Sequence, residues 1–285
     1  MICSRGGFDL ITQNHTPQTD NGVMKNPFYF CPFHKNAYLY LLCLTFAFFS
    51  CSKNKDSLVD SALNGNAGTF ENNTIIIDGN LRKYRLVVSE KLDLKIPNKI
   101  IFAFHGLGID SKDLMPVYSE LNNLAEHINA IIVYPNAENG SWGLNQKQID
   151  KDLLFFGLLL KKIQAHYAVD EKNIHIIGMS NGAYFCHILA KYNSEKIASV
   201  SAHSGMIGLE FFLGINANKK YPVLMIHGDK DPIFNINTAR NDLNKYKNEN
   251  HKATLIEVSD LGHEWAKKIN INDSISMFIN GNPLQ

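Results

Sequence analysis

The sequence carries no excess of charge of either sign: 28 Lys and Arg stand against 27 Asp and Glu, a formal net charge of +1. A near-neutral chain offers no basic stripe for a phosphate backbone, so nucleic acid is not expected as a partner. Cysteine is scarce. Of the five, only Cys186 lies beyond Cys51. A lone thiol excludes a disulfide within the domain, and Cys186, in "AYFCHILAKY", reads as a small core residue on a helix. No Cys/His grouping has ligand spacing, so neither a metal nor an organic cofactor is expected. No unit repeats and no stretch is of low complexity, which excludes repeat architectures. Tryptophan occurs twice, as Trp142 and Trp265. Long apolar runs are also rare, with one at residues 37–50, "AYLYLLCLTFAFFS".

That run is uncharged and about 14 residues long, short of the ~20 that a membrane-spanning helix needs and right for the h-region of a signal peptide. His34 and Lys35 precede it and Ser50-Cys51 closes it. A small residue followed by cysteine at this place resembles a bacterial lipoprotein cleavage site, with Cys51 as the lipid attachment point. Residues 1–23 fit neither a signal nor a core element, whereas Met24-Lys25 would open a basic n-region, so translation is expected to start at Met24. A single uncleaved anchor is the alternative. Small polar residues over 51–70 read as a flexible tether. The folded domain is expected over 71–285, long enough for one sizeable core.

Within the domain, β-branched apolar runs recur at 74–77, 84–88, 99–104, 130–134, 174–177, 198–202, 223–226 and 254–258. The first two are close enough for an antiparallel hairpin. The later ones ("IIFAF", "AIIVY", "IHIIG", "VLMIH") are continuously apolar, as in strands buried on both faces of a parallel sheet. Helical patterns fall between them at 112–128, 149–167, 181–192, 238–248 and 263–279. Alternating strand and helix predict an α/β fold with a mostly parallel eight-stranded sheet and helices on both faces. Ligands of such sheets bind at the carboxyl ends of the strands, so the side chains just after each strand matter most.

After the strand "NIHII" the chain reads Gly178-Met179-Ser180-Asn181-Gly182 and enters a helix. G-x-S-x-G between strand and helix is the setting in which a serine on a sharp turn becomes a nucleophile. Serine needs a base to become one. His263, in "SDLGHEW" after the last strand, can lean over the sheet edge, whereas His187 and His251 sit on a helix and in a charged stretch. Asp231, in "HGDKDPIF", follows the strand between them and is kept extended by Pro232. It is the expected acid, with Asp229 capping the loop and Asp260 in reserve. The chain order Ser180, Asp231, His263 is the order such folds use. The backbone N–H groups of Asn181 and of Leu107, in "HGLG", are expected to form an oxyanion hole. His105 beside it is expected to fix the loop. Trp142, in "NGSWGLN", either lines the substrate pocket or packs its own loop. Trp265 is expected to brace the His263 loop.

The segments "FAFHGLG", "VYPNA", "SWGLN", "HYAVDEKNIHIIGMSNGA", "VLMIHGDKDPI" and "GHEW" together resemble the α/β-hydrolases of the polyhydroxybutyrate depolymerase and feruloyl esterase type. The resemblance spans most of residues 98–266 and implies the α/β-hydrolase fold with a minimal cap. It also implies Ser180, Asp231 and His263 as nucleophile, acid and base on carboxylic esters: hydroxyalkanoate, feruloyl or acetyl polysaccharide, or short acyl. The expected protein is thus a serine esterase tethered to the bacterial cell envelope by lipid, or secreted. A peptidase on the same fold and a non-catalytic envelope-binding lipoprotein are the alternatives.

Overall fold

The computed structural model describes residues 63 and 65–285, residue 109 excepted. Met24, the apolar run 37–50, Cys51 and most of the expected tether lie outside the described residues. The chain is built from β1 (Gly68–Ile77), β2 (Asn80–Val88), β3 (Asn98–Phe104), α1 (Met115–Ser119), α2 (Leu121–Ile128), β4 (Ala130–Pro135) and α3 (Gln146–Gln164). Then follow β5 (Val169–Met179), α4 (Asn181–Tyr192), β6 (Ser199–His203), β7 (Val223–Gly228), α5 (Ile236–Asn248), β8 (Ala253–Val258) and α6 (Ile271–Asn280). The strands form one eight-stranded sheet in the order β1-β2-β4-β3-β5-β6-β7-β8. β1 and β2 form the expected antiparallel hairpin, β2 is antiparallel to β4, and every other pairing is parallel.

Side chains alternate along the central strands, so each strand feeds two cores. Ile100, Phe102 and Phe104 point to the face packed by α3, α4 and Tyr246 of α5. Ile101 and Ala103 point to the opposite face, covered by α1, α2 and α6. This is why β3 to β7 read as unbroken apolar runs. Between β6 and β7, residues 204–222 carry one short 3-10 turn, Leu209–Phe211, so the cap is minimal.

Among the boundaries that differ from the sequence expectation, three have a plain physical cause. β1 begins at Gly68, inside the stretch read as tether, because its residues pair with β2 from Val88 onward. The helix expected over 112–128 is two helices, broken at Glu120, whose φ of 56° is left-handed. The break lets Leu121, Leu124, Ala125 and Ile128 pack on the sheet while α1 takes its own direction. The last helix starts at Ile271 rather than at 263, since residues 263–270 run as a loop with a 3-10 turn at Lys267–Ile269.

Helix α4 lies hard against β3. A Cβ on Gly182 would drive into the carbonyl oxygens of Phe104 and His105. Gly182→Ala should therefore lower stability by at least about 2 kcal/mol, the cost of overpacking against backbone that cannot yield. Chemical denaturation would measure it, and an unchanged midpoint would show that the helix can move away. A second expectation concerns Asp242 on α5, which is buried and accepts the Ile207 N–H at 2.9 Å. Burial pushes its carboxyl up from 3.8 to about 6, against the opposing pull of that hydrogen bond and Lys245. Between those values the folded state holds a proton that the unfolded chain has lost, so stability falls as pH rises through the window. Asp242→Asn keeps an acceptor and removes the charge. It should stabilise the protein by about 2 kcal/mol at pH 8 and by little at pH 4, a contrast that melting curves at the two pH values would check.

Candidate active site

Strand β5 runs straight into the turn at Ser180. Its φ of 55° and ψ of −118° lie outside the regions open to ordinary L-residues. Such strain persists only where the surroundings over-determine it. Here the Ser180 N–H donates to His203 O at 2.9 Å, and Ser180 O accepts the Tyr184 N–H at 3.0 Å. The flanking glycines are spatial necessities. A Cβ on Gly178 would strike the backbone of Gly182, as one on Gly182 would strike β3. The serine is thus held clear of the sheet at the N-terminus of α4.

Three side chains from separate strand ends meet there. Ser180 Oγ donates to His263 Nε2 at 2.8 Å, and His263 Nδ1–H donates to Asp231 Oδ2 at 2.8 Å. The Asp231 side chain is fully buried, while that of His263 is partly exposed. Burial alone would raise the Asp231 carboxyl, but the Phe234 N–H, His263 and the Ile233 N–H outweigh it and hold the group below its ordinary value. The two N–H groups reach Asp231 Oδ1 at 3.0 and 2.8 Å, leaving Oδ2 for the histidine. Asp229 accepts the Asp260 N–H at 2.8 Å, tying the two loops together in the loop-capping place expected of it.

The loop 105–108 is fixed from below. His105 Nε2 accepts the Ala137 N–H at 3.0 Å, and its Nδ1–H donates to Gly106 O at 2.5 Å. Burial lowers the pKa of this ring to about 4, so it stays neutral and serves as the loop's brace. Gly108 N–H donates to Gly140 O at 2.9 Å. Gly106 packs so closely on Ser180 that a Cβ there would touch the serine's own Cβ. The backbone of Leu107 therefore borders the serine, as does that of Asn181 on the other side. The Asn181 side chain is turned away from the site, where its Oδ1 accepts the Trp142 N–H at 2.8 Å.

Trp142 is not a pocket residue. It is fully buried, its ring stacked on Phe185 at 5.1 Å and edge-on to Phe104 at 5.0 Å. Its indole N–H donates to His105 O at 2.9 Å. A ring between two phenyl groups with its one polar atom satisfied buries more apolar area than one at a cavity wall. The tryptophan thus supports the loop that borders the serine. Behind it, Asp152 accepts the Gly143 N–H at 2.8 Å and pairs with buried Arg82 at 2.9 Å.

Trp265 braces the His263 loop, as expected, by stacking on His203 at 4.7 Å. His203 Nε2 accepts the Ala266 N–H at 3.1 Å, and its Nδ1–H donates to Ser204 Oγ at 2.9 Å. Burial lowers its pKa to about 3, so it too remains neutral. A cavity of about 410 Å³ opens over Ser180, with Leu107, Leu114, Tyr118, Met179, Ile233 and Trp265 among its walls. Leu114, Tyr118 and Ile233 carry no motif. The one signal for α1 was an apolar stretch, "LMPVY", whose leucine and valine fit no buried helix face.

The same chain matches the phospholipase/carboxylesterase family model over residues 143–280. It is 28% identical over 207 residues to a probable feruloyl esterase C of Aspergillus terreus, covering 68% of this chain and 72% of that protein. It is 25% identical over 162 residues to a bifunctional acetylxylan esterase/xylanase of Neocallimastix patriciarum, covering 54% of this chain but 22% of that longer protein. A ferulic acid esterase from Anaeromyces mucronatus superposes with a TM-score of 0.59 at 16% identity, over 76% of this chain and 90% of its own, and has been solved with ferulic acid bound. With the sheet order, the strained serine between glycines and the sequence matches in agreement, the chain has the α/β-hydrolase fold and is similar to esterases of the feruloyl esterase and carboxylesterase type.

Proposed function

We propose that the protein hydrolyses carboxylic esters through an acyl-enzyme on Ser180. The observation that carries this reading is the unbroken line of hydrogen bonds from Ser180 Oγ through His263 to Asp231, 2.8 Å at each step. His263 Nε2 takes the serine proton as Oγ attacks the ester carbonyl, and Asp231 stabilises the imidazolium through Nδ1–H. The carbonyl oxygen, now negative, is held by the N–H groups of Leu107 and Asn181. His263 then gives its proton to the leaving alcohol. Water, deprotonated by the same nitrogen, attacks the acyl-serine and releases the acid.

The substrate class we infer is an ester with a compact apolar acyl group, of the short-chain, acetyl or feruloyl kind. The apolar cavity walls and the esterases among the relatives support this. We also propose that residues 37–50 direct the chain to the cell envelope, where Cys51 carries lipid and residues 52–67 tether the domain. Among the described residues no helix is long and apolar enough to cross a membrane.

A p-nitrophenyl ester series from acetate to octanoate, assayed on the full chain, tests the chemistry. Ser180→Ala should lower kcat by about 10⁴-fold or more, and a variant that keeps its activity would remove Ser180 from the mechanism. For the anchor, Cys51→Ser should move the protein from the membrane to the soluble fraction of fractionated cells. Retention in the membrane would point to an uncleaved span.

A further inference from the structure

Three apolar side chains stand out from the segment that joins β6 to β7. Leu209, Phe212 and Leu213 are 87%, 82% and 85% exposed, the highest values of any large hydrophobic residue among those described. They share the 3-10 turn Leu209–Phe211 and the two residues after it. The base of this turn is pinned. Phe211, between them in sequence, is fully buried, with the Lys191 ammonium over its ring at 4.9 Å. Glu210 O accepts from Lys191 Nζ at 3.0 Å, and the Glu210 carboxylate accepts from the Tyr184 hydroxyl at 2.8 Å. On the other side the Glu249 carboxylate accepts the N–H groups of Ile215 and Asn216, and Asn216 Nδ2–H donates to Leu213 O at 2.7 Å. A base fixed in this way holds three apolar tips in water, where each is unfavourable. A contiguous patch of this kind marks a surface that meets something apolar.

We propose that Leu209, Phe212 and Leu213 insert into the surface of a phospholipid bilayer and seat the folded domain on it. This goes beyond the ester-hydrolase reading and rests on the proposed anchoring at Cys51 for the nearness of a membrane. A second copy of the chain is the poorer occupant, because a stable dimer buries about 800 Å² per partner, more than three side chains provide. A bilayer asks for less, since a few apolar tips and nearby lysines both add to binding. Lys191 and Lys220 lie at the base of the turn, the second paired with Glu249 at 3.5 Å. The two acids there do not oppose an anionic surface freely: Glu210 is engaged by Tyr184, and Glu249 by two backbone N–H groups and Lys220. The length of the preceding chain supports the same occupant. Residues 52–62 alone separate Cys51 from Leu63, which is buried in the core. Fully extended they reach about 40 Å, so a domain held at Cys51 stays within reach of the bilayer.

Tryptophan fluorescence of the full chain on vesicles of phosphatidylcholine and phosphatidylglycerol tests this. Trp142 and Trp265 are buried, so the wild type supplies the background. The Phe212→Trp chain should shift its emission to the blue on vesicles and lose about half of the added signal when the lipids carry bromine on their acyl chains. Replacing Leu209, Phe212 and Leu213 together by serine should weaken vesicle partitioning about tenfold or more, with hydrolysis of soluble p-nitrophenyl acetate unchanged. An indole at 212 that stays unquenched on vesicles carrying the chain would overturn the proposal. So would an indole already shielded without vesicles, whether in a dimer seen by sedimentation or against residues 37–50. The anchoring reading is judged separately by Cys51→Ser in fractionated cells. If lipid at Cys51 fails but quenching and the serine effect hold, the bilayer contact stands alone; if Cys51 anchors the chain and quenching is absent, the contact fails alone.

Discussion

The close approach of α4 to β3 is the constraint on which the site depends. Gly182 has no side chain, so the first turn of the helix can touch the carbonyls of Phe104 and His105. That contact leaves Ser180 no relaxed route between strand and helix, and the residue is held at a φ of 55°. The strain is sustained by hydrogen bonds on both sides of the turn, one of them from the neighbouring strand β6. Seen this way, the two glycines of "GMSNG" answer a steric demand. They let backbone meet backbone, and the serine is exposed as a consequence.

Around this point the polar groups divide by environment. Asp231 is buried but has its oxygens occupied by two backbone N–H groups and the histidine, so its charge is tolerated. His105 and His203 are buried without a charged partner that could outweigh desolvation, and they remain neutral braces for the loops on either side. Asp152 and Arg82 form a buried pair whose main effect is geometric. By accepting the Gly143 N–H, the carboxylate fixes the loop that carries Trp142 and, through it, the side chain of Asn181. Buried ion pairs add little net stability, but they penalise any arrangement that leaves one partner alone.

The strands and their order around the site were legible because a strand buried on both faces can hardly be anything but apolar throughout, as in "IIFAF" and "VLMIH". The positions of Ser180, Asp231 and His263 were legible because each lies within about five residues of the end of a strand. Other features were read less well. The stretch from His263 to Asn270 has helical composition, yet stacking of Trp265 on His203 and the Ala266 hydrogen bond hold it open as a loop. The break at Glu120 has no glycine to announce it, since a glutamate takes the left-handed conformation there. Trp142 beside a motif looked equally suited to pocket or core, and only its neighbours Phe104 and Phe185 decide between them.

By itself the sequence determined the alternation of strands and helices, the sharp turn at Ser180 and the chain order of serine, acid and histidine. These follow from local rules: side-chain period, glycine's freedom, and the residues that end each strand. Only the tertiary structure decided which buried groups are satisfied and which are not. Satisfaction depends on partners far apart in the chain: Asp231 meets a histidine 32 residues on, and Trp142 a backbone carbonyl 37 residues back.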